Sequence, residues 1–171
     1  MRYTPLALAI CMFVAVGAST SIGRADAPAD PRVERLLTDG RATLAQGDVA
    51  AAVDRFEAAL ALAPGYAVTY IDLAATARAN GLQGRAIRYY RQALMLDPAN
   101  LDALAGEGAA LAEKGALAKA EQNLVTLRSL CGADCAEAGA LAAAIALGPV
   151  NNVQSAQVGD MDTLDDAVKV N

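Results

Sequence analysis

The sequence predicts an all-α protein, an α-solenoid of three helical hairpins closed by a C-terminal capping helix. Three observations predict it. The chain repeats itself every 34 residues: Gly47, Gly81 and Gly115 are in step, as are Ala52, Ala86 and Ala120, Phe56, Tyr90 and Leu124, and Gly40, Ala74 and Gly108. Within each unit the apolar residues recur at spacings of one, three and four, the period of a helix buried on one face. Pro64 and Pro98 close the first two units, and Gly132 stands where a third proline would fall. Self-similarity at such a period marks stacked supersecondary units, each burying its apolar face against the next.

Residues 1–27 read as a cleavable export signal. Arg2 gives a positive start, Leu6 to Val16 form an apolar run, and Ala25-Asp26-Ala27 is an A-x-A cleavage site followed by Pro28. The run is shorter than the roughly 20 residues that a membrane span needs, so no stable membrane insertion is expected after cleavage behind Ala27. Cys11 follows Ile10 rather than a small residue, which speaks against lipid attachment. Without the leader the chain carries 12 basic and 18 acidic residues, a net charge of −6. That balance, with no basic block, argues against nucleic acid as a partner.

Residues 28–32 form a short Pro/Ala/Asp linker, and the repeat domain spans 33–147. The first hairpin, about 33–66, carries Leu36, Leu37, Leu44 and Ala45 on its first helix, turns at Gly47-Asp48, and carries Ala52, Val53, Phe56, Ala59 and Leu60 on its second. Ala63-Pro64-Gly65 stops it, because proline lacks an amide hydrogen and disfavours a helical residue before it. The second hairpin, about 67–100, places Tyr70, Leu73, Ala74 and Ala77 before Asn80-Gly81, and Ala86, Ile87, Tyr90, Ala93 and Leu94 after it. The third, about 101–134, has Leu104, Gly108 and Leu111, the Lys114-Gly115 turn, then Ala120, Leu124 and Leu127. Small residues at Gly40, Ala74 and Gly108 admit a close partner helix, and Phe56, Tyr90 and Leu124 are expected to fill the space between units. Residues 135–147, with Leu141, Ile145 and Leu147, read as the capping helix that a stack of repeats requires. Residues 148–171, rich in aspartate and without period, read as a disordered acidic tail.

The chain has no histidine and no tryptophan. Ser-His and Cys-His nucleophile arrangements and histidine metal sites are thereby excluded, and no glycine-rich loop follows a strand pattern. Catalysis, cofactors and a resident metal are not expected. Glu107, Glu113 and Asp102 read as solvated helix faces, as do Arg85, Arg88 and Arg91 at three-residue spacing, although the arginines could also dock an acidic partner or the tail. Cys131 and Cys135 are the only cysteines left after leader removal and bracket the turn before the cap. In an oxidising compartment they are expected to form a disulfide that fixes the cap, worth roughly 2 kcal/mol by loop closure. The alternative is a redox-active pair, but the C-x-x-C spacing and the thioredoxin-like sheet are both missing. Two thiolates supply only half a tetrahedral metal set.

The 34-residue pattern over residues 33–147 resembles the tetratricopeptide repeat (TPR) family. The resemblance implies a right-handed superhelix whose first helices line a concave groove for a peptide or a partner helix. Carried onto this chain, the groove would be lined by Glu34, Leu37, Arg41, Leu44 and Ala45, then Val68, Ile71, Asp72, Ala75 and Arg78, then Asp102, Ala105, Ala109 and Glu113. A subtype of the family clamps the carboxylate ends of chaperone tails with lysine, asparagine and arginine. The matching places here hold Leu37, Arg41, Asp72, Asp102 and Gly106, so that ligand is not expected. The resemblance to small exported bacterial members implies a monomeric, non-catalytic adaptor of the periplasm that binds envelope proteins or peptide segments. Self-association as a structural role is the remaining alternative.

Overall fold

The computed structural model describes residues 30–132 and 134–149. The expected leader, 1–27, and residues 150–171 of the expected tail lie outside the described residues. Seven helices run through the described residues: α1 (Pro31–Ala45), α2 (Val49–Leu62), α3 (Ala67–Ala79), α4 (Gln83–Leu96), α5 (Leu101–Glu113), α6 (Leu117–Cys131) and α7 (Ala136–Leu147). They pair as α1–α2, α3–α4 and α5–α6, and α7 packs on both α5 and α6. None of the described helices is long and apolar enough to cross a membrane.

Local backbone chemistry sets most boundaries. α1 begins at Pro31, so residues 31 and 32 belong to the helix and not to a linker. Proline at the first helical position has its φ pre-set and misses no bond there, and the Asp30 carboxylate accepts from the Arg32 amide at 2.9 Å. Asp48 and Asn100 cap α2 and α5 in the same way, accepting from Ala51 N at 3.0 Å and Ala103 N at 2.9 Å. The three hairpin turns are one motif repeated. Gly47, Gly81 and Gly115 have φ of 85°, 74° and 86°. The next amide then reaches back to the carbonyl five residues earlier, Asp48 to Thr43, Leu82 to Ala77 and Ala116 to Leu111, at 3.2, 2.9 and 2.8 Å. This is the left-handed helix ending that glycine enters without a Cβ penalty. Ahead of Pro64 and Pro98, Ala63 and Asp97 leave the helix with φ of −137° and −136°, the extended form that a following proline imposes.

The core is built from alanine and a few large side chains. Ala52, Ala59, Ala74, Ala86, Ala93, Ala103, Ala110, Ala112 and Ala120 are wholly buried, with Phe56, Leu37 and Leu127. A Cβ on Gly40 would meet the Phe56 ring at 2.5 Å, and one on Gly108 would meet Leu141 Cδ2 at 2.6 Å. Gly108 therefore makes room for α7 rather than for its own hairpin partner. Leu124, expected beside Phe56 and Tyr90 as a filler, is only half-buried, and Leu127 and Leu141 take that place. α7 is where a fourth unit's first helix would lie, and it covers the open end of α5.

Candidate partner-binding groove

The first helices of the hairpins lie side by side, α1 against α3 and α3 against α5, with α7 following α5. Their polar side chains reach across these junctions and bond to one another. Arg41 of α1 grips Asp72 of α3 with both nitrogens, Nε to Oδ1 at 3.0 Å and NH2 to Oδ2 at 2.7 Å. Arg78 of α3 donates to Glu113 Oε1 of α5 through Nε at 2.8 Å, and its NH2 lies 2.7 Å from the same oxygen. The Tyr66 hydroxyl donates to Glu34 Oε1 at 2.7 Å.

Electrostatics follow from this geometry. The hydrogen bonds to Asp72 and Glu113 raise the Arg41 and Arg78 guanidinium pKa values, so both stay charged. Burial pushes the Asp72 carboxyl above its ordinary value, and the opposing pull of Arg41 only partly offsets it. The bond to Glu34 raises Tyr66, and burial raises Tyr90. Both arginines of the face are therefore engaged by its own carboxylates. Asp102 stays exposed and makes no ion pair among the described residues.

Between α3, α5 and α7 the face opens into a cavity of about 310 Å³, lined by Ile71, Arg78, Tyr90, Asp102, Ala105, Gly106, Ala109, Ala140 and Leu141. Ile71 and Ala105 are half-buried. Tyr90 forms the floor because Gly106 has no Cβ, and the ring lies directly against that position. The arrangement offers an apolar hollow with the Asp102 carboxylate and the paired Arg78 guanidinium at its rim. No acid–base pair or nucleophile converges on it.

Most of the residues expected to line the groove are exposed or half-buried, and two are buried. Glu34, Arg41, Ala45, Ala75 and Asp102 are exposed, and Leu44, Val68, Ile71, Asp72, Arg78, Ala105 and Glu113 are half-buried. Leu37 is wholly buried and belongs to the core with Val33, Phe56 and Leu73. It sits one turn from both Val33 and Gly40, on the face of α1 that packs inward. Ala109 is only 5% exposed, because α7 covers it, and it forms part of the cavity wall. Tyr66, Tyr90, Ala140 and Leu141 join the face without a sequence assignment to it. The pairing of Gly106 with Gly108 two residues on was the available sign that something bulky approaches α5.

Of the acids of the third hairpin, Asp102 is exposed as expected, but Glu107 and Glu113 are not a solvated face. Glu107 is 8% exposed. It accepts from Arg91 Nε at 2.8 Å and from Asn123 Nδ2 at 3.2 Å, tying α4 and α6 to α5. Arg91 thus leaves the expected arginine stripe. At the other end of the hairpin, Cys131 ends α6 and Cys135 is the N-cap of α7, with Cα atoms 5.9 Å apart and sulfurs in bonding distance. Glu137 shares a 4.8 Å neighbourhood with the two sulfurs, a three-donor group that would offer thiolates only after reduction.

Neither a protein-family model nor a curated protein matches the sequence. Solved structures do. The TPR domain of Sgt2 from Aspergillus fumigatus aligns with a TM-score of 0.63 at 20% identity, over 76% of this chain and 93% of that one. The first TPR of Spaghetti (RPAP3), bound to the HSP90 peptide SRMEEVD, aligns at 0.62 and 19% identity, over 68% and 91%. The Yersinia enterocolitica type III secretion chaperone SycD, in complex with a peptide of the translocator YopD, aligns at 0.60 and 22% identity, over 67% and 90%. Repeat period, turn motif and these alignments agree: the chain has the fold of a tetratricopeptide repeat domain.

Proposed function

We propose that the chain is a non-catalytic adaptor that holds a segment of a partner protein in its concave groove. The observation that carries this reading is the apolar cavity between α3, α5 and α7, opening on a face whose two arginines already have carboxylate partners. Among the described residues this face has no free cation for an acidic tail. It suits an amphipathic segment that seats one apolar side chain against Ile71, Ala105 and Leu141 and brings a lysine or arginine to Asp102. Two of the similar structures hold peptides, which supports the mode of binding although the peptide chemistry differs. The A-x-A site at Ala27 and the envelope TPR likeness support a place in the periplasm, as a monomer. In that compartment the Cys131–Cys135 bond would act as a staple holding α7 against α5.

A peptide array probed with the full chain tests the groove. Peptides with an apolar residue within one helical turn of a lysine or arginine should be retained. Ala105→Glu, which puts a carboxylate on the cavity wall, should abolish retention with helical content unchanged. Equal retention of acidic peptides, or indifference to Ala105→Glu, would sink the reading.

A further inference from the structure

Four cations that the groove does not use gather at the hairpin turns of the second and third units. Arg88, Lys114 and Lys119 line a cavity of about 470 Å³ backed by Ile87 and Leu111, and Arg85, Arg88 and Lys114 line a second recess beside it, of about 480 Å³. Neither is lined by a carboxylate, and neither shares a residue with the groove cavity. Arg91 borders the first but is held by Glu107. Arg85, Arg88, Lys114 and Lys119 are all exposed and make no ion pair among the described residues. Lys114 Nζ hangs over the first turn of α4, 3.9 Å from where a Cβ on Gly84 would be. Four cations gathered on a chain of net charge −5 form a local positive field with no counter-charge at hand.

The chain's own course points to the occupant. Pro149 lies against the Gly115 turn, its Cβ 3.9 Å from a Cβ placed there, and Gly115 lines the same cavity as Lys114 and Lys119. Eleven residues further on begins Asp160-Met161-Asp162-Thr163-Leu164-Asp165-Asp166, four carboxylates with no cation among them. Eleven residues reach at most about 36–40 Å, and tethering within such a reach gives an effective concentration on the order of millimolar. Met161 and Leu164 match the apolar backing of Ile87 and Leu111. We propose that segment 160–166 of this chain docks on the edge formed by Arg85, Arg88, Lys114 and Lys119, four carboxylates against four cations. The docked segment occupies the edge and leaves the groove free.

Carbodiimide coupling of the full chain tests this. The reagent joins a carboxylate to a lysine amine as an amide and takes up the water itself, becoming a urea. Mixing nitrogen-14 and nitrogen-15 protein lets mass spectrometry separate links within one chain from links between chains. The expected products join Lys114 or Lys119 to Asp160–Asp166 within one chain. Their yield should fall about fivefold in the Arg85→Gln/Arg88→Gln variant, which keeps every coupling group but removes two exposed ion pairs. A similar fall is expected in about 0.5 M NaCl, where exposed charges are screened. Circular dichroism of the variant checks that it is folded. Yields unchanged by the variant and by salt would reduce the contact to tether proximity and overturn docking. Links found only between chains would assign the edge to a second copy, and the absence of links to either lysine would leave the segment elsewhere. Both overturn the proposal.

Discussion

The groove and the turn edge both carry arginine, and the structure uses the two sets in opposite ways. On the concave face Arg41 and Arg78 are held by Asp72 and Glu113 from the next first helix. They hold the superhelix in register and present almost no free charge. At the edge Arg85 and Arg88 stand beside Lys114 and Lys119 with no carboxylate lining the same recess. A tally of charges along the sequence makes the two regions look alike. Pairing leaves the arginines of one face neutralised and those of the other unmatched.

The sharpest way to break the comparison is through the core that backs the groove. Tyr90→Ala removes a buried ring from between α4 and Gly106 and should cost about 3–5 kcal/mol in chemical denaturation. A cost below about 1 kcal/mol would mean that the groove floor is not part of the core. Glu107→Ala leaves Arg91 and Asn123 without their shared acceptor. Because Arg91 is half-exposed and Asn123 keeps the Leu104 carbonyl, the expected loss is about 1–2 kcal/mol. At the edge, Arg85→Gln/Arg88→Gln should change stability by less than about 0.5 kcal/mol, since both side chains are exposed. A larger loss would show that the edge is structural.

The smallest expected effect is a pH dependence. Burial raises the Asp72 pKa above its ordinary value of 3.8, so folding favours the protonated carboxyl. Its stabilising contribution is fully present below pH 3.8 and is lost as pH rises through the raised value. Asp72→Asn should therefore not lower stability at pH 7, and any advantage over wild type should vanish below pH 3.8. A clear loss at pH 7 would show that the bond to Arg41 outweighs burial.

The parts of the fold legible in the sequence were those written in local backbone chemistry. Gly47, Gly81 and Gly115 each take a positive φ, and Pro64 and Pro98 each end a helix, because single residues decide those geometries. The start of α1 was legible too, since Asp30-Pro31 is an N-cap followed by proline, but it was read as linker. The groove was less legible, because a first helix has two buried faces, one toward its own partner and one toward the next unit. Period alone does not separate them, which is why Leu37 was placed in the groove when it belongs to the core. Ala109 lines the cavity but is buried for a longer-range reason, the return of α7 over α5. The roles of Glu107 and Glu113 rest on arginines 16 and 35 residues away on other helices. No spacing within one helix encodes such a pair.

The central claim is that a partner segment lies in the groove, and crosslinking in living cells tests it most directly. A photoreactive residue at Ala75, exposed on α3 one turn from both Asp72 and Arg78, would be compared with one at Glu57, exposed on α2. The account predicts an adduct at Ala75 alone, mapping to one segment that pairs apolar residues with lysine or arginine. Adducts at Glu57 and none at Ala75, or an acidic segment at Ala75, would contradict it.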